Sequence, residues 1–210
     1  MAADQGSAVD PAVSRVKFDR EIARFREQGE SNLRRGWWLV DATFPKVFVV
    51  LGTPNMRPAL APYGLLIDFT GYDLVPPSVR LADPFTRKPL TTAQLGPARS
   101  FMAQPDGTLV GLYFPQVREN GVAEDGTPIV QGNDLLQTYG GDDIPFICMP
   151  GVREYHEHSA HSNDPWLPRR RSGEGTLHFL LDNLSRLGTE QMTGFGYNVQ
   201  SVLLRQPPQP

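Results

Sequence analysis

Between Trp37 and Leu81, four short runs rich in β-branched and aromatic residues follow one another, and they limit the folds open to the chain. The runs are Trp37 to Val40, Lys46 to Leu51, Gly64 to Thr70 and Ser78 to Leu81. Gly71-Tyr72-Asp73 turns the chain after the third. Pro76-Pro77 leads into the fourth and removes two ladder donors, which puts that run at a strand start or a sheet edge. Ahead of the strands, Asp10-Pro11 reads as a helix start, a capping acid followed by proline at the first helical position. Val13, Val16, Ile22 and Phe25 follow at roughly helical spacing, with Glu21 on the polar side. The helix therefore runs from Pro11 to about Gln28, and Gly29 ends it. The strongest helix pattern is Thr176 to Leu187, where Leu177, Leu180, Leu181, Leu184 and Leu187 form a stripe and Gly188 follows as a stop. Helix, four strands, an irregular half and a closing helix make an α+β fold with an antiparallel meander.

The irregular half is rich in breakers, from a total of 20 prolines and 20 glycines. Ala82 to Asp143 reads as a hairpin or an insertion, with turns at Gln104-Pro105-Asp106-Gly107 and Glu124-Asp125-Gly126 and a short strand from Thr108 to Phe114. At 210 residues the expected organisation is one domain over 11–205, an insertion at about 82–143, and flexible ends at 1–10 and 206–210. Trp37-Trp38 are core candidates, and Gly194-Phe195-Gly196-Tyr197 reads as a turn rather than a phosphate loop.

The balance of charge excludes some functions. With a formal net charge of -3 and no basic stripe, nothing points to nucleic acid. Arg169-Arg170-Arg171 reads as a solvated loop. No apolar run approaches the roughly 18 residues that a membrane span needs. Met1 to Asp10 is small and polar, unlike a secretory signal. The single cysteine rules out an internal disulfide and fits a reducing cytoplasm.

Chemistry concentrates in one stretch: Cys148, then Glu154, His156, Glu157, His158 and His161. Three of the four histidines lie there. The flanking prolines and glycines favour an extended segment, in which Glu154, His156 and His158 share a face and His161 returns from the next turn. A thiolate, imidazoles and a carboxylate suit zinc, with three ligands for a catalytic site or four for a structural one. The same residues also suit a metal-free catalytic cysteine with acid and base neighbours, and a hydrated polar loop is the plain alternative. His178, on the flank of the leucine stripe, reads as structural.

Three segments carry a family resemblance: Tyr72-Asp73-Leu74-Val75-Pro76-Pro77-Ser78-Val79-Arg80, Phe146-Ile147-Cys148-Met149 and Asp164-Pro165-Trp166. With the helix that follows, they resemble the ubiquitin-conjugating (UBC-like) fold. That resemblance implies that Cys148 carries a ubiquitin-like protein as a thioester received from its activating enzyme. Glu154 or His156 would then deprotonate the incoming amine or tune the thiol. The His-Pro-Asn tripeptide of that family is absent here, which implies a divergent member. The Cys, Glu, His, His order is also similar to a predicted metal-binding family of bacteria whose genes neighbour those of ubiquitin-like conjugation. This second likeness implies a metal, zinc by its donors, on Cys148, Glu154, His156 and either His158 or His161. A zinc-dependent hydrolase with Glu157 or Glu154 as base, and a metal-stabilised scaffold, are the alternatives.

Overall fold

The computed structural model describes residues 10–92, 94, 115–122, 128–137 and 142–192, with 115–122 and 128–134 described by their backbone. The strand expected at Thr108 to Phe114, the turns at Gln104 to Gly107 and Glu124 to Gly126, the Gly194 to Tyr197 motif, and the two flexible ends (apart from Asp10) lie outside the described residues. No helix among the described residues is long and apolar enough to cross a membrane.

Helix α1 (Pro11–Glu27) begins as its sequence indicates. The Asp10 carboxylate accepts from the Ala12 amide at 2.8 Å, and proline occupies the first turn. Its buried stripe is Ser14, Phe18, Glu21, Ile22 and Phe25. Val13 and Val16 were expected on that stripe, but they are 48% and 61% exposed. At 3.6 residues per turn both point away from Phe18 and Ile22, so the strongest apolar positions choose the face. Gly29 does not stop the helical path. It opens a second short helix, α2 (Gly29–Arg34), after a break at Gln28.

Strands β1 (Trp37–Thr43), β2 (Lys46–Leu51), β3 (Tyr63–Asp68) and β4 (Ser78–Ala82) form an antiparallel sheet in sequence order. Trp37 pairs with Leu51, Lys46 with Asp68, and Leu65 with Leu81. Side chains alternate between faces. Val47, Val49, Leu51, Leu65, Ile67 and Leu81 join the main core with Trp37, while Phe48, Val50 and Ala82 form a smaller cluster packed against Trp38 and Leu66. Burial on both faces explains why β2 reads as a continuous apolar run. Pro76-Pro77 stands at the start of β4, an edge of the sheet, where missing amides cost nothing.

Strands β5 (Pro115–Val122) and β6 (Pro128–Asp134) pair antiparallel, as a hairpin in this half requires. Strands β7 (Leu136–Gln137) and β8 (Phe146–Ile147) form a second, short pair. Helices α3 (Arg153–Glu157), α4 (Trp166–Arg169) and α5 (Leu177–Leu187) follow.

Helix α5 buries Leu177, Leu180, Leu181 and Leu184 in the main core, and His178 lies exposed with its ring edge-on to Trp37. Two acceptors satisfy the first amides of α5. The Thr176 hydroxyl accepts from the Phe179 amide, and the Glu21 carboxylate accepts from the Leu177 amide at 3.0 Å. Glu21 is therefore buried against α5 and not on the polar side of α1, because its partner lies 156 residues away.

Burial raises the Glu21 carboxyl above its ordinary value, against the opposing pull of the Leu177 amide. An acid raised on folding contributes stability that is fully present below its unfolded value of 4.5 and is lost as pH rises through the folded one. Glu21→Gln keeps an acceptor for Leu177 and carries no charge. Its Tm is expected to exceed that of the wild type at pH 7–8, with the gap closing near pH 4. Paired thermal melts across that range check this, and a pH-independent gap would contradict it.

Candidate active site

Cys148 stands at the end of β8, where its amide donates to the Leu135 carbonyl at 2.7 Å. It is 6% exposed and packs in the main core. Met149-Pro150-Gly151 then turns the chain, with Gly151 at φ +89°, a conformation that favours glycine. Helix α3 starts at Arg153, whose amide donates to the Pro77 carbonyl at 2.9 Å. Its guanidinium donates to the Pro76 carbonyl at 3.1 Å and the Thr70 carbonyl at 2.8 Å. These bonds dock the stretch after Cys148 onto the Pro-Pro entry of β4.

The extended segment expected here is therefore a helix at Arg153–Glu157, followed by a 3₁₀ turn at Ser159–His161. Pro150 and Gly151 lie outside the helix and cannot break it, and the β4 entry satisfies its first amide. The correction changes which residues share a face. Glu154 and His156 lie on one face of a strand but on nearly opposite sides of a helix.

The predicted site residues separate accordingly. One carboxylate oxygen of Glu154 accepts from the Arg80 guanidinium at 2.9 Å and from the Ser78 hydroxyl, while the other oxygen is buried with no hydrogen-bond donor among the described residues. His156 faces the other way. Its Nε2 accepts from the Gly151 amide at 3.1 Å and its Nδ1 lies 2.9 Å from the Asp164 carbonyl oxygen. A carbonyl only accepts, so Nδ1 is the donor of that pair, and both ring nitrogens are engaged. His158 stacks on Phe146 with centroids 5.6 Å apart. Exposed Glu157 and half-buried His158 line an open cleft of ≈ 440 Å³ shared with Arg80, Asp143 and Phe146.

The structure brings Cys148 and His161 together. The 3₁₀ turn returns His161 so that Nε2 lies 3.2 Å from Cys148 Sγ. Its ring stacks on Tyr155 with centroids 3.9 Å apart and planes 21° from parallel. The Tyr155 hydroxyl donates to Asp164 at 2.8 Å. Burial and this carboxylate push the phenol up to about 12, so it stays a donor. Arg169 beside Asp164 holds that carboxyl below its ordinary value, and Arg169 also pairs with Glu174 at 2.8 Å. Arg170 lies 3.7 Å from Asp73. Arg169 and Arg170 are thus tied into the site's surroundings, where a solvated loop was expected, while Arg171 is exposed.

A zinc site on the Cys/Glu/His/His order would need those donors to converge. Cys148 and His161 supply a soft sulfur and an imidazole close together, while Glu154 and His156 are turned to other partners. Among the described residues, no three His, Cys, Asp or Glu side chains form a group able to hold a metal. The four donors of that order are not brought together among the described residues.

Tyr155 and Asp164 were not read as site residues. Asp164 stood in the Asp-Pro-Trp segment and Tyr155 between two candidates, but only the helical turn reveals what they touch.

The Y4jH-like family model, described as the Y4jH family, matches residues 9–192. The chain is 41% identical over 203 residues to the uncharacterized protein y4jH of Sinorhizobium fredii, which covers 96% of this chain and 95% of that one. Both matches run through α1, the sheet, the Cys148–His161 pair and α5, so the chain belongs to the Y4jH family.

Proposed function

We propose that this protein is a UBC-like carrier in a bacterial ubiquitin-like conjugation pathway, with Cys148 as nucleophile and His161 as its base. The observation that carries the reading is the 3.2 Å approach of His161 Nε2 to the only thiol in the chain. His161 takes the thiol proton, and the thiolate attacks the thioester carbonyl that joins the ubiquitin-like protein to its activating enzyme. The sulfur–carbon bond to Cys148 forms, and the enzyme's thiolate leaves. An acceptor amine later attacks the new thioester, loses its proton to a base and releases the Cys148 thiolate. At 6% exposure the thiol sits just below the surface and has to become accessible before it attacks. The meander of β1–β4 ahead of a strand ending at Ile147, next to Cys148, with α5 following, supports the UBC-like assignment.

The test is a transfer assay with the activating enzyme and the ubiquitin-like protein. A dithiothreitol-sensitive adduct is expected on the wild type and none on Cys148→Ala. His161→Gln is expected to slow formation about 10²–10⁴-fold, the usual contribution of a general base. No adduct on the wild type, with both partners active, would sink the proposal.

Zinc ligation is a second reading of the same pair. The 3.2 Å separation is close to the roughly 3.5 Å between sulfur and nitrogen on one tetrahedral zinc. Elemental analysis of the wild type beside Cys148→Ser decides between the two. A stoichiometric metal lost in the variant would make Cys148 a ligand rather than a free nucleophile. The zinc-dependent hydrolase and metal-stabilised scaffold readings would then return.

A further inference from the structure

Tyr155 takes no part in the transfer chemistry, yet its ring stacks on the base. It is 6% exposed, its ring lies flat on the His161 imidazole, and the His156 ring stands nearly perpendicular to it with centroids 5.0 Å apart. A three-residue 3₁₀ turn fixes backbone and not ring orientation. The His161 amide donates to the His158 carbonyl and the His161 carbonyl accepts from the Asp164 amide, each at 2.9 Å, which leaves rotation about the side-chain torsions to be set by packing. The flat contact with Tyr155 supplies that packing. Tyr155 is itself anchored, through the hydroxyl to Asp164, Arg169 and Glu174 in turn.

We propose that Tyr155 is a positioning residue that aims His161 Nε2 at Cys148 Sγ, with Asp164 as its anchor. The proposal rests on the reading of Cys148 and His161 as nucleophile and base. When Nε2 takes the thiol proton, the electron pair stays on sulfur and the ring becomes a cation. The electron-rich face of the phenol favours that cation. Among the described residues, Cys148 at the end of β8, Tyr155 on α3, and His158, whose ring centroid is 5.7 Å away, face His161. Asp164 and Arg169 act through Tyr155.

Alkylation of Cys148 by iodoacetamide tests this without a partner protein, because the chain has no other thiol. Rates are measured by mass spectrometry on the folded full chain at pH 6–9. His161→Gln is expected to react at least about tenfold more slowly than the wild type near neutral pH. Tyr155→Leu is expected to slow the reaction about 2- to 30-fold, the range of a cation–π contact. Tyr155→Phe keeps the ring and is expected to return to within about threefold of the wild type. Tyr155→Leu at or above the wild-type rate, with His161→Gln slow, overturns the positioning role and leaves the pair standing. So does a Tyr155→Phe as slow as Tyr155→Leu. His161→Gln at the wild-type rate overturns both. Should Tyr155→Leu not fold, Asp164→Ala releases the anchor and leaves both rings. A several-fold loss is then expected, and an unchanged or faster rate overturns the proposal.

Discussion

Gly151→Ala is expected to lower Tm by about 4–20 °C. The residue sits at φ +89°, where an alanine costs about 1–2 kcal/mol. A Cβ there would also lie 2.5 Å from the Gly175 nitrogen, an approach that backbone cannot relieve by rotating aside. Such overpacking costs about 1–3 kcal/mol, and each kcal/mol moves Tm about 2–4 °C in a domain of this size. Gly151 also donates its amide to His156, so the strain reaches the turn between Cys148 and α3. Gly173→Ala is the built-in control. Gly173 sits at φ +90° with nothing within 4 Å of an added Cβ, so it should show the conformational cost alone. Thermal melts of both variants separate the two contributions. Equal losses would mean that the close approach to Gly175 does not matter.

Trp166→Ala is expected to cost about 3–5 kcal/mol, the usual range for removing a buried tryptophan. Trp166 is 6% exposed, its indole N–H donates to the Asp73 carbonyl at 2.8 Å, and its ring lies 5.5 Å from that of His156. The side chain thus ties the stretch after the site to the turn between β3 and β4. Trp166→Phe keeps most of the apolar volume and removes the donor, so it should lose only about 1 kcal/mol or somewhat more. Denaturant melts of the pair check the order. If the two variants lose the same amount, the hydrogen bond and not the packing holds this joint.

The four strands were legible because β2 is buried on both faces and its neighbours carry short, turn-bounded apolar runs. Helix α5 was legible because its leucines repeat at helical spacing between Thr176 and Gly188. The start of α1 could be read from Asp10-Pro11, but its inner face could not. Glu21 is buried by a bond to Leu177, and no local pattern announces a partner so far along the chain. The candidate site shows the same division. Its residue types pointed to the right stretch, while their faces depended on whether Arg153–Glu157 was helix or strand. That choice was made by Pro76, Pro77 and Thr70, which supply the carbonyls that anchor Arg153. The Cys148–His161 contact then followed from the 3₁₀ turn, which spacing alone does not foretell.

The Glu21–Leu177 bond has a consequence for synthesis. The meander joins segments that leave the ribosome one after another, whereas α1 finds its carboxylate's partner only when residue 177 has emerged. Until then the chain offers a bare anion where its interior needs an apolar surface. A nascent or prematurely terminated product is therefore expected to be cut by proteases faster than the finished chain, which limited proteolysis of a chain ending before residue 177 checks.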